Sequence, residues 1–292
     1  MISRRGFMTL GAAAAGSGML GAADALAIEP GFSLTVREWT VRHADWPRHA
    51  RPLRIGILTD IHAVEPWMPA RRVGAIVERL NGLKPDLIVL LGDYVNALRP
   101  RFYTAEVPVT EWMAALKDLH APLGVYAVLG NHDWWSGEVA EIRRTFNAAG
   151  IHLLENTALR LSRPDTAFWL AGLGDQLAFR VRGDDDLDGT LQQITDDAPA
   201  ILLAHEPDIF PEVPQRIALT LAGHTHGGQV YIPLLGRPAL SHNGQGEGYG
   251  YGHFENEGCH LIVSSGLGVS NFPIRFLVPP EIALVTLCNI EA

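Results

Sequence analysis

Five short segments of this chain carry side chains suited to holding a metal ion or moving a proton. They are Asp60-Ile61-His62, Gly92-Asp93, Gly130-Asn131-His132-Asp133, the single His205, and Gly223-His224-Thr225-His226. Each has an ordinary structural explanation when taken alone. Asp-x-His and Gly-Asp are common turns, Asn-His-Asp after glycine suits a helix N-terminus, and a lone histidine is usually a satisfied buried residue. Together they are hard to explain that way, because each closes an apolar run and they recur in one consistent order. Mixed carboxylate, imidazole and amide donors suit Mn, Fe or Zn better than Ca or Mg, which prefer oxygen alone. Two such ions roughly 3.5–4 Å apart need a bridging carboxylate, and Asp93, central in the order, is the natural bridge.

The runs that precede these residues are of strand length. LRIGILTDIH, DLIVLLGD and GVYAVLGNHD are separated by amphipathic stretches. Val73, Ile76, Val77 and Leu80 follow helical spacing, as do Trp112, Ala115, Leu116 and Leu119, and Val139, Ile142 and Phe146. Strand–helix alternation predicts right-handed crossovers and a mainly parallel sheet. Further on, residues 151–161, FWLAGLGD, AILLAHEPD, IALTLAGHTH, GGQVYIP, HLIVSSGLG and EIALVTL read mostly as strands, with one helix around Thr190 to Thr195. So many strands predict two packed sheets with helices outside, an α/β four-layer αββα sandwich. Ligands in such sheets bind beyond the carboxyl ends of the strands, where all five segments fall. The glycine-rich stretch 243–254 reads as a surface loop, either near the site or a plain connector. It is not a dinucleotide fingerprint, lacking the strand before and the helix after.

The first 27 residues differ from the rest. Arg4-Arg5-Gly6-Phe7 precedes a weakly apolar, alanine- and glycine-rich run that ends in Ala25-Leu26-Ala27. That order is expected of a twin-arginine-type signal segment over 1–27, with the folded domain over 28–292 and partnership with the twin-arginine export machinery. The alternative is a short uncleaved membrane helix, for which the run is too rich in glycine and alanine to span strongly. The expected location is the periplasm or the outer face of the inner membrane, with peripheral membrane association as a further expectation. The chain has 292 residues and a formal net charge of −9, which works against general nucleic-acid binding. Two cysteines, Cys259 and Cys288, either pair or stay as separate buried thiols.

The strings DxH, GD, GNHD, a lone His and GHTH resemble the calcineurin-like metallophosphoesterases. The longer strings GDYV, GNHDWW, LLAHEPD, GHTHGGQV and GLGVSNFPIRFLVPPEIALVTL look like its YkuE/YaeI-type bacterial phosphodiesterase branch. The resemblance runs from about Arg54 to Cys288. It implies a dinuclear centre of two divalent ions, with Asp60, His62, Asp93 and His226 around one and Asp93, Asn131, His205 and His224 around the other. It further implies hydrolysis of a phosphodiester, lipid- or nucleotide-linked, by a metal-bridging hydroxide. His132 is then the acid that protonates the leaving oxygen, and Asp133 a partner for its orientation. Many relatives carry a second Asp three residues after the bridging one, where this chain has Asn96, which bears on the protonation of His132.

Two other readings use the same residues: a pyrophosphatase acting on a UDP-2,3-diacylglucosamine-type lipid, and a metal-binding scaffold without catalysis. Trp67, Trp134, Trp135 and Phe272 lie beside the motif loops and either form an apolar lip or pack in the core.

Overall fold

A computed structural model describes residues 24–97, 105–241 and 248–291. Its layering follows from the faces that strand side chains take. In β4 (Leu87–Leu91), Leu87, Val89 and Leu91 turn to one side and Ile88 and Leu90 to the other, and all five are buried. A strand buried on both faces needs a layer on each. One layer is a second sheet and the other a set of helices.

The first sheet has the order β1 (Thr35–His43), β14 (Glu281–Asn289), β2 (Leu53–Leu58), β4, β6 (Val125–Val128), β7 (His152–Leu153). From β2 to β7 the strands are parallel, whereas β14 runs antiparallel to β2. The second sheet has the order β12 (Gly252–Asn256), β13 (Cys259–Val263), β11 (Ile217–Ala222), β10 (Ala200–Leu203), β9 (Thr166–Gly172), β8 (Thr157–Arg163). Its four central strands are parallel and its two outer ones antiparallel to their neighbours. A small ribbon pairs β3 (Val64–Glu65) with β5 (Ala105–Glu106).

Three apolar cores fill the spaces between layers. Helices α1 (Ala70–Gly82), α2 (Val109–Leu116) and α4 (Val139–Ala148) pack on the outer face of the first sheet, and α1 buries Val73, Ile76, Val77 and Leu80 at the spacing its sequence predicts. The second core lies between the sheets, where Val89 and Leu91 share a cluster with Ile201, Leu203, Leu219 and Leu221. The third covers the outer face of the second sheet with α5 (Leu187–Leu191) and the single turns of Pro207–Glu212. Three cores between four layers make the expected αββα sandwich. Between β6 and α4, the short α3 (Asn131–Ser136) starts where β6 ends.

Two local expectations change, one strand goes unread in the sequence, and one open alternative is decided. The helix expected around Thr190 to Thr195 lies at Leu187–Leu191, because Asp186 caps it by accepting the Gly189 N–H at 2.9 Å. GGQVYIP is not a strand but a loop with two isolated bridges, since Gly227, Gly228 and Gln229 all take positive φ. The edge strand β1 was hidden in the sequence by Arg37, Glu38 and Arg42, charges that suit an exposed edge. Cys259 and Cys288 are separate buried thiols on different sheets. The expected signal segment falls outside the described residues up to 23, as do 243–247 of the glycine-rich loop.

Candidate metal centre

Parallel strands of both sheets end at one edge of the sandwich, and the motif residues sit just past those ends. β2 leads to Asp60 and His62, β4 to Asp93, β6 to Asn131 and His132, β10 to His205, and β11 to His224 and His226. The backbone there is forced into the left-handed region at Asp60 (φ 53°), His62 (43°), Asp93 (57°), His224 (67°) and His226 (51°). Non-glycine residues rarely adopt this region, and its cost of about 1–3 kcal/mol each is held only where the surroundings over-determine it. Close backbone approach adds to the constraint. A Cβ at Gly130 would overlap Asp93 Oδ1 and come within 2.7 Å of the His205 ring, so the β4 and β6 loops meet only because that position is glycine.

All eight predicted donors and acids other than Asp133 converge, and all but half-buried His224 are buried. Asp60, His62 and His226 form one group and Asp93, His205 and His224 a second. Asp93 lies between them: its Oδ2 is 3.3 Å from both His62 Nε2 and His205 Nε2. Asn131 Oδ1 joins the second group at 3.0 Å from His224 Nδ1. Asp60 Oδ1 is 3.3 Å from His226 Nε2, and its Oδ2 accepts the Thr59 hydroxyl at 2.8 Å.

The donor set fits cations. His62 Nδ1 bonds the Val95 carbonyl at 3.1 Å, and His205 Nδ1 bonds that of Leu91 at 2.6 Å, so each ring turns Nε2 inward. A carbonyl that fixes the tautomer in this way is the usual support of a metal-binding histidine. His62 Nε2 and His226 Nε2 stand 3.0 Å apart, a spacing that admits at most one proton between them. Burial, reinforced by His132, pushes His62 down to about 3, and burial with His62 holds His226 well below its ordinary value. Two neutral rings with converging lone pairs are ready for a positive ion. Burial would raise Asp93, but His205 and His132 outweigh it and keep the carboxylate ionised. Burial likewise opposes charge on His205, and Asp93 overrides it and holds the ring well above its ordinary value. Burial lifts Asp60 to about 6.

His132 lies beside the first group, its ring 4.6 Å from that of His62. Its Nδ1 accepts the Ala97 N–H at 3.3 Å, so in the neutral ring the proton sits on Nε2. Burial lowers its pKa and favours that neutral form. Asn96 makes no hydrogen bond to it; the Asn96 amide donates instead to the Val269 carbonyl at 3.4 Å. Asp133 bonds backbone rather than the His132 ring. Its Oδ2 accepts from Asp93 N and Gly130 N, both at 2.9 Å, and its Oδ1 from Tyr94 N at 2.9 Å and Val95 N at 3.3 Å. Burial and Asp93 press Asp133 up to about 7, while these N–H groups favour the carboxylate. Asp133 therefore positions the loop that carries Asp93.

Above the donors is an open cavity of about 710 Å³. Asp93, Asn131, His132, His224 and His226 reach it, whereas Asp60, His62 and His205 lie beneath its floor. Of the four expected lip residues, Trp135 lines the cavity and Phe272 is exposed. Trp134 packs against the core, and Trp67 donates to the Leu26 carbonyl.

Two features escaped the sequence reading. Arg275 is fully buried beneath the site and donates to the carbonyls of Ser265, Gly266, Gly268 and Val278, with Nη2 3.4 Å from His226 Nδ1. Burial lowers it to about 10, so it stays charged at neutral pH. Arg275→Met leaves those carbonyls without donors and is expected to cost about 3 kcal/mol or more, read as a fall in the urea midpoint. An unchanged midpoint would refute the bracing role.

The second is a buried pair, Asp175 and Glu206, beside His205. Asp175 Oδ2 and Glu206 Oε1 lack other partners, and burial with the Glu206 charge pushes Asp175 up to about 10. A proton kept on Asp175 lets that carboxyl sit beside Glu206 without a second buried charge. The folded state then keeps a proton that the unfolded chain, with its carboxyl near 3.8, has released. Stability must therefore fall as pH rises from about 4 towards 10. In chelated protein, Asp175→Asn is expected to flatten the decline in urea midpoint between about pH 6 and about pH 9. A decline equal to wild type would show that no proton is held there. Gly174-Asp175 closes β9 as Gly92-Asp93 closes β4, a signal that was present in the sequence.

The calcineurin-like phosphoesterase family model matches residues 53–228. The chain is 32% identical over 293 residues to "Uncharacterized metallophosphoesterase YkuE" of Bacillus subtilis (strain 168), with 98% of each chain covered. It is 30% identical over 292 residues to "Phosphodiesterase YaeI" of Escherichia coli (strain K12), covering 98% of this chain and 100% of that one. A dimetal phosphatase from Danio rerio overlaps 74% of this chain and 88% of its own, at 13% identity and a TM-score of 0.43, a likeness too weak to add to the fold already described. The chain belongs to the calcineurin-like phosphoesterases, of the YkuE/YaeI type. It is accordingly a hydrolase acting on phosphoric ester bonds.

Proposed function

We propose that the protein hydrolyses phosphodiesters through two divalent cations, Mn, Fe or Zn, shared by Asp93. The observation that carries this reading is the place of Asp93 Oδ2, equidistant at 3.3 Å from an imidazole nitrogen of each donor group. Asp60, His62, Asp93 and His226 would hold one ion, and Asp93, Asn131, His205 and His224 the other. Bound there, the ions supply Lewis acidity, lowering the pKa of water and neutralising charge that grows on the phosphoryl oxygens.

The chain's own residues supply the rest. His132 holds a proton on Nε2 because the Ala97 N–H occupies Nδ1, and it delivers that proton to the departing oxygen. Asp133 keeps Asp93 in register, and Trp135 gives the cavity an apolar wall. A diester is favoured over a monoester by the relative named phosphodiesterase YaeI. The Arg4-Arg5 leader supports export by the twin-arginine route to the periplasm or the outer face of the inner membrane, and the N-terminal sequence of periplasmic protein tests that.

The reading is tested by initial rates on bis-p-nitrophenyl phosphate and p-nitrophenyl phosphate, using chelated protein with and without Mn²⁺. Metal-dependent turnover faster on the diester is expected. Turnover of the monoester alone, or a rate indifferent to metal, would refute it.

A further inference from the structure

Among the described residues, eleven large apolar side chains are exposed, and eight of them lie on only three segments, 24–32, 229–236 and 270–278. Phe32 is 83% exposed, Leu235 73%, Phe272 63%, and Leu234 is wholly exposed. Scattered apolar residues on a surface are ordinary, but a concentration of this kind marks an interaction site.

Hydrogen bonds join the three segments into one face. Arg275 N donates to Ala25 O, Leu277 N to the Glu29 carboxylate, and Tyr231 N to Phe276 O, each at 2.9 Å. Ser270 N closes the set with Gln229 Oε1 at 2.7 Å. Within the three segments the surface is almost free of charge, and Arg72 and Arg237 border them. Glu29 and Arg275 are buried and consumed by internal bonds, leaving Asp24 partly exposed.

We infer that this face seats on a lipid bilayer, with the mouth of the metal cavity at its edge. Two observations select lipid. The sequence from Gly6 to Ala23 contains no charged residue and joins the face directly at Asp24, so an apolar leader and an apolar surface share one point of the fold. Apolar side chains on loops, with Arg72 and Arg237 at their border, suit shallow insertion among acyl chains with the guanidinium groups at the headgroup level. The same loops reach the site, since Gln229, Ser270 and Asn271 line the cavity. A phosphoester whose tail stays in the bilayer would thus meet the cavity from the side. Because the chain is acidic, the attraction is apolar and does not depend on anionic lipid.

The test is co-sedimentation of the full chain with phosphatidylcholine vesicles, alone and with phosphatidylglycerol added. Wild type is compared with the triple variant Leu234→Ser, Leu235→Ser, Phe272→Ser, which leaves the leader untouched. The variant is expected to lose about ten-fold or more in partitioning, equally on both vesicle types and at high salt. Its vesicle-free rate on bis-p-nitrophenyl phosphate and its urea midpoint are expected to match wild type, which excludes misfolding. Equal partitioning of wild type and variant would overturn the inference, because the leader alone would then carry binding. It would also be overturned if wild type ignored vesicles and instead self-associated in sedimentation velocity through these three residues, which would give the face to a second copy of the chain.

Discussion

Asp93→Asn is expected to lower kcat/KM on bis-p-nitrophenyl phosphate by at least about three orders of magnitude, and to leave the protein holding one metal equivalent or fewer. The argument rests on where the carboxylate sits. Its Oδ2 lies between His62 and His205, and its Oδ1 accepts the His132 N–H at 2.8 Å. Asparagine keeps an oxygen for the second bond, so the loop retains its anchor, but it removes the only negative charge common to both donor groups. Two cations brought close together repel each other strongly unless an anion lies between them. Bound metal by mass spectrometry and rates on the same preparation check this. A variant that still holds two equivalents and turns over normally would show that Asp93 is not the bridge.

His132→Gln is expected to cost about 10²–10⁴ in kcat while metal content stays at the wild-type level. His132 lies beside the donors but is not one of the two sets assigned to ions, and its Nδ1 is taken by Ala97 N–H. The deficit should depend on the leaving group. A p-nitrophenolate departs without a proton, so its ester should be affected least, and an alkyl diester most. A deficit equal across leaving groups would give His132 a structural role. Loss of metal along with activity would make it a ligand.

Most of this arrangement was legible because strands and donors are local in sequence. Leu87 to Leu91 is a continuous apolar run, which only a strand covered on both faces explains, and Gly-Asp directly after it puts a carboxylate at the strand end. The same logic placed His205 after β10 and His224 with His226 after β11. What stayed hidden depends on pairs far apart in the chain. Nothing near Asp133 shows that its carboxylate binds the amides of Asp93, Tyr94 and Val95, about one crossover earlier. Arg275 reads as a surface residue in an apolar segment until carbonyls of two loops close around it. The left-handed backbone at Asp60, His62, Asp93, His224 and His226 also left no mark, because none of them is the glycine that usually signals it. At β1, charges suited to an exposed edge masked the strand, and at residues 227–233 a β-like composition masked a loop bent by three positive-φ residues.

The account turns on two ions acting together. The most direct measurement adds Mn²⁺ stepwise to chelated protein, following bound metal and bis-p-nitrophenyl phosphate turnover in the same samples. The account predicts little turnover through the first equivalent and a steep rise that saturates with the second. Full turnover at one equivalent, or none with two bound, would contradict it.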